Sequence, residues 1–93
     1  MIIQLVKNKI IEGHNEKYIE AAKQFTTNLL EQTNCENAYV CLSSEGNEFV
    51  TIVTHFRTEE DMNDKKVKSV FLENKKNMKP HFLGNETIIL RGV

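Results

Sequence analysis

Cysteine is scarce in this sequence, which contains only Cys35 and Cys41. These two lie six residues apart, with no CxxC pattern and no second pair, which excludes a cysteine-based zinc tetrahedron. A disulfide would have to join two positions of one predicted strand, where residues six apart are about 20 Å from each other. We therefore expect no metal site and two free thiols, and free thiols are typical of a cytoplasmic protein.

Arginine is equally rare, since only Arg57 and Arg91 occur among 12 basic residues. Arginine is the side chain that best binds phosphates and reads bases in nucleic acids. With 13 acidic residues the formal net charge is -1, so we expect no nucleic-acid partner. No apolar run approaches the ~20 residues of a membrane span, and the N-terminus lacks a secretory signal pattern. The composition predicts a cytoplasmic protein with no membrane partner.

The first half of the chain reads as a strand followed by a long helix. Residues 2–11 are rich in β-branched side chains and predict a strand, after which Gly13 breaks the pattern. The next apolar side chains recur at spacings of four, three and four residues, as on one stripe of a helix: Tyr18, Ala22, Phe25 and Leu29. This helix should end near Asn34, a residue that tolerates the left-handed conformation.

Three further strands are expected downstream. Residues 38–42 and 48–56 flank a segment that contains Gly and Asn, which indicates a β-hairpin. Residues 82–85 read as a turn before a last strand at 87–90.

A second helical region lies between the hairpin and the last strand. Thr58, followed by three acidic residues, predicts its N-cap, Pro80 predicts its end, and a break is expected near Asn63. Apolar side chains should occupy one face. Lysines fill the other face, which we interpret as solvated: Lys65, Lys66, Lys68, Lys75, Lys76 and Lys79.

The predicted order β-α-β-β-α-β is that of the ferredoxin-like α+β fold, with a four-stranded antiparallel sheet and helices on one face. A chain of 93 residues supports one core, so we expect a single domain over residues 1–93. Apolar residues occur at both parities of the first and third strands, which means that both sheet faces need cover. A second copy of the chain would supply that cover, and we expect a homodimer.

Several local patterns match the plan of a known family. They are the strand that ends at Glu12-Gly13, Asn34-Cys35 followed by Tyr39, the strand 49–56 that leads into Arg57-Thr58-Glu59-Glu60, and Ser69-Val70-Phe71. In these patterns the chain resembles the antibiotic biosynthesis monooxygenase family, which includes quinol monooxygenases and haem-degrading monooxygenases. The resemblance covers nearly the whole chain and implies a dimeric α/β barrel.

The resemblance implies a cofactor-independent monooxygenase that acts on a small phenolic or quinol-like aromatic, with the substrate itself supplying electrons to oxygen. No nucleotide-binding motif occurs, so we expect no cofactor. The alternative is a non-catalytic dimer of the same fold that binds a small ligand. Haem degradation is the third reading, but Lys65 and Lys75 stand where those members have a Trp and a ligand His, and the chain contains no Trp.

Two polar residues are candidate catalytic groups. His55, in series with Thr51 and Val53, could act as an acid or base toward a phenol, and Asn8 could hydrogen-bond a bound oxygen or a substrate carbonyl through its amide. Purely structural hydrogen bonding is the alternative for both. In this fold a pocket would open between helices and sheet, and its candidate lining residues are Phe25, Phe56, Phe71 and Met78. A packed core is the alternative for those four side chains.

Overall fold

The computed structural model describes residues 1–93 and contains four strands and three helices. The strands are β1 (Ile2–Ile10), β2 (Cys35–Leu42), β3 (Phe49–Phe56) and β4 (Phe82–Arg91). The helices are α1 (Asn15–Gln32), α2 (Glu59–Met62) and α3 (Lys65–Met78), and a 3-10 turn follows at Lys79–His81. This arrangement confirms the predicted ferredoxin-like α+β fold.

All neighbouring strands are antiparallel, in the order β2-β3-β1-β4. Alternation along the strands assigns their side chains to two faces. Even-numbered residues of β1 and β3, such as Asn8 and Val50, point toward the helices, and we call this the helix-covered face. The opposite side, which no helix covers, is the open face. Its side chains include Ile3, Leu5, Lys7, Tyr39, Val53, His55, Ile88 and Leu90.

Helix α1 packs against β2, and α3 packs against α1. The apolar stripe predicted for α1 is confirmed, because Tyr18, Ala22, Phe25 and Leu29 are all buried. Asn74 of α3 is also buried, and its Oδ1 accepts a hydrogen bond of 3.2 Å from the Asn28 side chain of α1. Because α3 rests on α1, it leaves space above β1 and β4. No helix combines the length and hydropathy that crossing a membrane requires.

The second helical region is divided as predicted. Thr58 Oγ1 accepts a hydrogen bond of 3.1 Å from the Asp61 backbone N–H and caps α2. Asp64 Oδ1 accepts one of 2.8 Å from the Lys66 backbone N–H, which starts α3 as a separate helix. Pro80 lies in the 3-10 turn directly after α3. The predicted break near Asn63 and the predicted end at Pro80 are therefore confirmed.

The turn predicted at residues 82–85 is wrong, because these residues form the first part of β4. Gly84 pairs with Lys9 of β1, and Asn85 pairs with Asn8. The register shifts between Lys9 and Ile10, and such a local irregularity admits a glycine into an edge strand without ending it. The longer strand carries additional side chains onto both faces of the sheet.

Candidate functional site

A cavity of about 880 Å³ lies between α3 and the helix-covered face. Strands β1, β3 and β4 form its floor, while α1, α3 and the 3-10 turn supply its walls. Its volume falls in the usual range of small-molecule sites, roughly 300 to 1,000 Å³. The cavity follows from the fold, because α3 packs on its neighbouring helix rather than directly on the sheet.

Aromatic side chains are concentrated around this cavity. Five of the seven aromatic residues of the chain line it: Tyr18, Phe25, Phe56, Phe71 and Phe82. Two edge-to-face pairs organise them, with ring centroids 5.9 Å apart for Tyr18 and Phe82 and 6.1 Å apart for Phe25 and Phe71. Such walls suit a flat apolar ligand, because aromatic rings favour edge-to-face and offset stacking.

All four residues proposed from the sequence as pocket lining border the cavity. Phe25, Phe56 and Met78 are buried, whereas Phe71 is 45% exposed. The buried three therefore belong to the core and to the cavity wall at once, while Phe71 stands at the mouth. The sequence-based alternatives of core and pocket lining are thus not exclusive.

Asn8 is 2% exposed and lies on the cavity floor. Its Nδ2 donates hydrogen bonds to the backbone carbonyls of Val6, at 3.0 Å, and Val50, at 3.2 Å. These two bonds fix the orientation of the amide. No fully buried side-chain oxygen or nitrogen lacks a hydrogen bond, so Oδ1, which has no partner in the chain, faces the cavity. Asn8 thus offers a ligand an acceptor, whereas the sequence-based hypothesis of a bound oxygen or carbonyl required a donor.

Tyr18 lines the same cavity from α1 and is 1% exposed. Burial raises the pKa of its hydroxyl to about 12, so the group stays protonated at neutral pH. The hydroxyl has no hydrogen-bond partner in the chain, and by the same reasoning as for Asn8 it reaches open space. Tyr18 and Asn8 therefore give the cavity lining one neutral O–H group and one amide oxygen that have no partner in the chain.

Further polar side chains of the floor were missed by sequence reasoning: Gln4, Thr54, Asn85 and Thr87. Gln4 and Thr54 share the strand parity of Asn8 and pair with each other in the register of β1 and β3. Their shared parity with Asn8 was therefore a sequence signal that could have placed both residues on the same face of the sheet. Asn85 gave no such signal, because it was assigned to a turn, whereas Thr87 was the first residue of the predicted last strand.

His55 lies on the open face, on the other side of the sheet from Asn8 and the cavity. The side-chain Nδ2 of Asn37 lies 3.2 Å from the Nδ1 of His55, within hydrogen-bond distance. The structure therefore does not bring the two candidate catalytic residues together. Acid or base chemistry at His55 stays a prediction, and its site would be the open face.

The lysines of α3 and of the turn after it are all exposed, as expected for a solvated face, but three of them also border the cavity. Lys68, Lys75 and Lys79 line the cavity. Around the axis of α3, one side of the helix contacts α1, a second side borders the cavity and a third side faces solvent. The remaining lysines of this region, Lys65, Lys66 and Lys76, do not line it and are exposed.

The thiols and the other titratable groups make no metal site, since no three His, Cys, Asp or Glu side chains are grouped to hold an ion. Cys35 is buried, and its Sγ donates to the backbone carbonyls of Asn37 and His55. Burial raises the pKa of the Cys35 thiol, which keeps it in its unreactive protonated form. Cys41 is exposed on the open face.

The sheet, the helices and the cavity define a ferredoxin-like protein with a ligand-sized space on one face of its sheet. The profile of the family described as antibiotic biosynthesis monooxygenase matches residues 1–65. Because this match covers more than half of the sequence, the chain belongs to the antibiotic biosynthesis monooxygenase family. No curated protein sequence matches the chain.

Solved structures agree on the fold. A Nitrosomonas europaea protein provisionally named an antibiotic biosynthesis monooxygenase is 13% identical, with a TM-score of 0.86 over 100% of this chain and 99% of that one. A similarly named Bordetella bronchiseptica protein is 15% identical, with a TM-score of 0.84 over 99% and 96%. Rv0793 of Mycobacterium tuberculosis is 6% identical, with a TM-score of 0.83 over 99% and 94%. At such identities the likeness shows the fold alone.

Proposed function

We propose that the chain is a cofactor-independent monooxygenase that oxidises a small phenolic or quinol-like aromatic in the cavity beneath α3. The observation that carries this proposal is the combination of aromatic walls with two unpartnered polar atoms. Asn8 Oδ1 accepts a hydrogen bond from a phenolic O–H, and the Tyr18 hydroxyl donates one to a second oxygen. A phenol supplies the donor that Asn8 requires.

The reaction balances without a bound redox group. A phenol and one O₂ give a quinone and one water, so the substrate provides all four electrons that reduce oxygen. The contribution of the chain is to orient the ring, exclude water from it and hold its oxygen atoms in place. Membership of the antibiotic biosynthesis monooxygenase family supports this reaction class.

Oxygen consumption tests the proposal. With a panel of hydroquinones and polycyclic phenols, without added metal or flavin, we expect uptake of one O₂ per substrate oxidised, above the rate with heat-denatured protein. Tyr18→Phe removes one hydroxyl at constant shape and should lower the rate about tenfold or more. Tyr39→Phe is the matched control on the open face and should not change it. No uptake with any substrate would overturn the enzyme assignment.

A non-catalytic ligand-binding protein is the second candidate, and one observation favours it. The cavity lining contains no carboxylate, imidazole or thiol, so no ordinary general base is in position to deprotonate a phenol. Saturable binding of the same phenols without oxygen uptake would assign the chain to this class.

Haem degradation has less support than either candidate. No imidazole lines the cavity, and Lys75, which takes the place of the family's ligand His, does line it. Hemin should give only the broad absorption of nonspecific association. A sharp Soret band at one hemin per chain, lost in His81→Ala or His55→Ala, would contradict this.

The proposal includes a homodimer joined through the open face, in the reducing environment of the cytoplasm. Three large apolar side chains on this face are about half exposed: Tyr39, Ile88 and Leu90. An uncovered apolar surface of this kind is typical of an interface. Both cysteines are free, which suits a cytoplasmic location.

A further inference from the structure

The charged residues of the cavity all carry the same sign. Lys68, Lys75 and Lys79 line it, and no Asp or Glu does. Their positions are separated by seven and four residues, so they form a row along one side of α3 that continues into the 3-10 turn and extends about 16 Å in total. Positive charge therefore follows the length of the cavity mouth.

No acidic residue forms an ion pair with this row. The two ion pairs of the chain join Lys9 to Glu48 and Arg91 to Glu59, and they leave the three lysines unpaired. Glu73 is the one acidic residue of α3. It is two positions from Lys75 and therefore points to the opposite side of the helix. The row is available to a ligand.

The rest of the cavity lining indicates which part of a ligand would lie away from the lysine row. Five aromatic side chains form the walls, and the polar groups of the floor are neutral amides and hydroxyls. An acidic group would lose its hydration at such a floor and would meet no positive charge there. At the mouth the lysine row attracts it while leaving it partly in water.

We infer that the cavity binds an aromatic molecule that carries an acidic group, with the ring system between the aromatic walls and the acidic group at the row formed by Lys68, Lys75 and Lys79. The inference rests on the proposed function, since it concerns the same cavity, and it narrows the substrate class to an aromatic acid. It also gives the three lysines of the row a role in binding the ligand, in addition to their contact with solvent.

Two fluorescent dyes test the inference, because they differ by a single sulfonate. 1-Anilinonaphthalene-8-sulfonate is the acidic probe, and N-phenyl-1-naphthylamine is its neutral counterpart. In the variant Lys68→Gln/Lys75→Gln/Lys79→Gln, the dissociation constant of the acidic dye should rise about tenfold, because three exposed charge contacts are lost. That of the neutral dye should change by less than about twofold.

A second triple variant of the same helical region provides the control. Lys65→Gln/Lys66→Gln/Lys76→Gln removes the same charge from exposed positions outside the cavity and should leave both dyes bound as before. All six lysines are exposed, so neither variant removes buried packing. Equal weakening of the acidic dye by both variants would show an effect of net charge and would overturn the inference.

The remaining outcomes separate the inference from the proposed function. If the neutral dye binds and the cavity variant leaves the acidic dye unaffected, the lysine row is not a site, while the aromatic cavity stands. If neither dye binds the native protein, both the inference and the proposed cavity fail. 2-Naphthoate should displace the acidic dye at lower concentration than decanoate does. The reverse order would contradict an aromatic ligand.

Discussion

The two faces of the sheet differ in what lies over them. On the helix-covered face, Val50, Ile52 and Phe56 join the core with helix residues, and a cavity remains under α3. On the open face a row of apolar side chains crosses all four strands with nothing above it: Tyr39, Val53, Leu5 and Ile88. Strand alternation therefore sorts residues between the two faces, whereas the position of one helix decides which face holds the cavity.

The largest expected effect is on the open face. Leu5 stands between Val53 and Ile88 in the register, so Leu5→Glu places a charge in the centre of the proposed interface, twice by symmetry. We expect the dissociation constant of the dimer to rise about 1,000-fold or more. Light scattering should then report the mass of one 10.8 kDa chain, against twice that mass for the native protein.

Leu30→Glu is the control for this substitution, because Leu30 is an exposed leucine on α1 outside the cavity. It should stay dimeric. If the native protein is monomeric at micromolar concentration, the open face is not a dimer interface and the dimer proposal is wrong.

The next largest effect concerns the helix-covered face. Phe56 is 1% exposed at the end of β3, and Phe56→Ala should lower the free energy of unfolding by about 3 to 5 kcal/mol through lost burial and an enlarged void. Urea denaturation measures this change. Leu30→Ala, at an exposed position, should cost less than about 1 kcal/mol. Equal losses in the two variants would mean that Phe56 is not part of the core.

Much of the fold could be predicted from local patterns, because those patterns are set by neighbouring residues. The stripe that includes Tyr18 and Leu29 has helical spacing, and Thr58 provides its own cap. The start of β4 could not be predicted in this way. Gly84 and Asn85 have turn-like composition, and only their pairing with distant β1 residues makes them a strand.

The candidate site was less predictable, since it depends on which face of the sheet each strand parity occupies. Apolar residues on both parities of β3 left the face of His55 undetermined, and the structure places it away from the cavity. Asn8 lines the cavity, but the acceptor that it offers depends on the carbonyls of Val6 and Val50. The position of the three lysines at the cavity depends on how α3 is rotated about its axis against α1, and no local sequence pattern encodes that rotation.

A smaller effect should separate the two tyrosines. The pKa of Tyr18 is raised from 10.0 to about 12 in the folded chain, so the unfolded chain loses this proton first as the pH rises. The stabilisation from burying the neutral hydroxyl is therefore complete below pH 10 and is lost as the pH rises from 10 to about 12.

Urea midpoints measured at pH 8, 10, 11 and 12 should fall more in the native protein than in Tyr18→Phe. Tyr39→Phe, on the open face, should behave like the native protein. An unchanged alkaline loss in Tyr18→Phe would contradict the buried position of this hydroxyl.

The smallest expected effect is that of His55→Ala. Because His55 lies across the sheet from the cavity, the substitution should change neither dye affinity nor the rate of oxygen uptake by more than about twofold. A tenfold loss of rate in a variant that light scattering shows to be dimeric would instead support the sequence-based prediction of a catalytic imidazole on the open face.

Ligand-induced changes in backbone amide NMR signals test the location of the site most directly. We would titrate isotope-labelled protein with 1-naphthol under argon, so that binding is observed without oxidation. We expect shifts that concentrate at Val6, Phe71 and Thr87 around the cavity, with little change at Val53 and His55. Shifts concentrated at Val53 and His55 would place the ligand on the open face and overturn the proposed site.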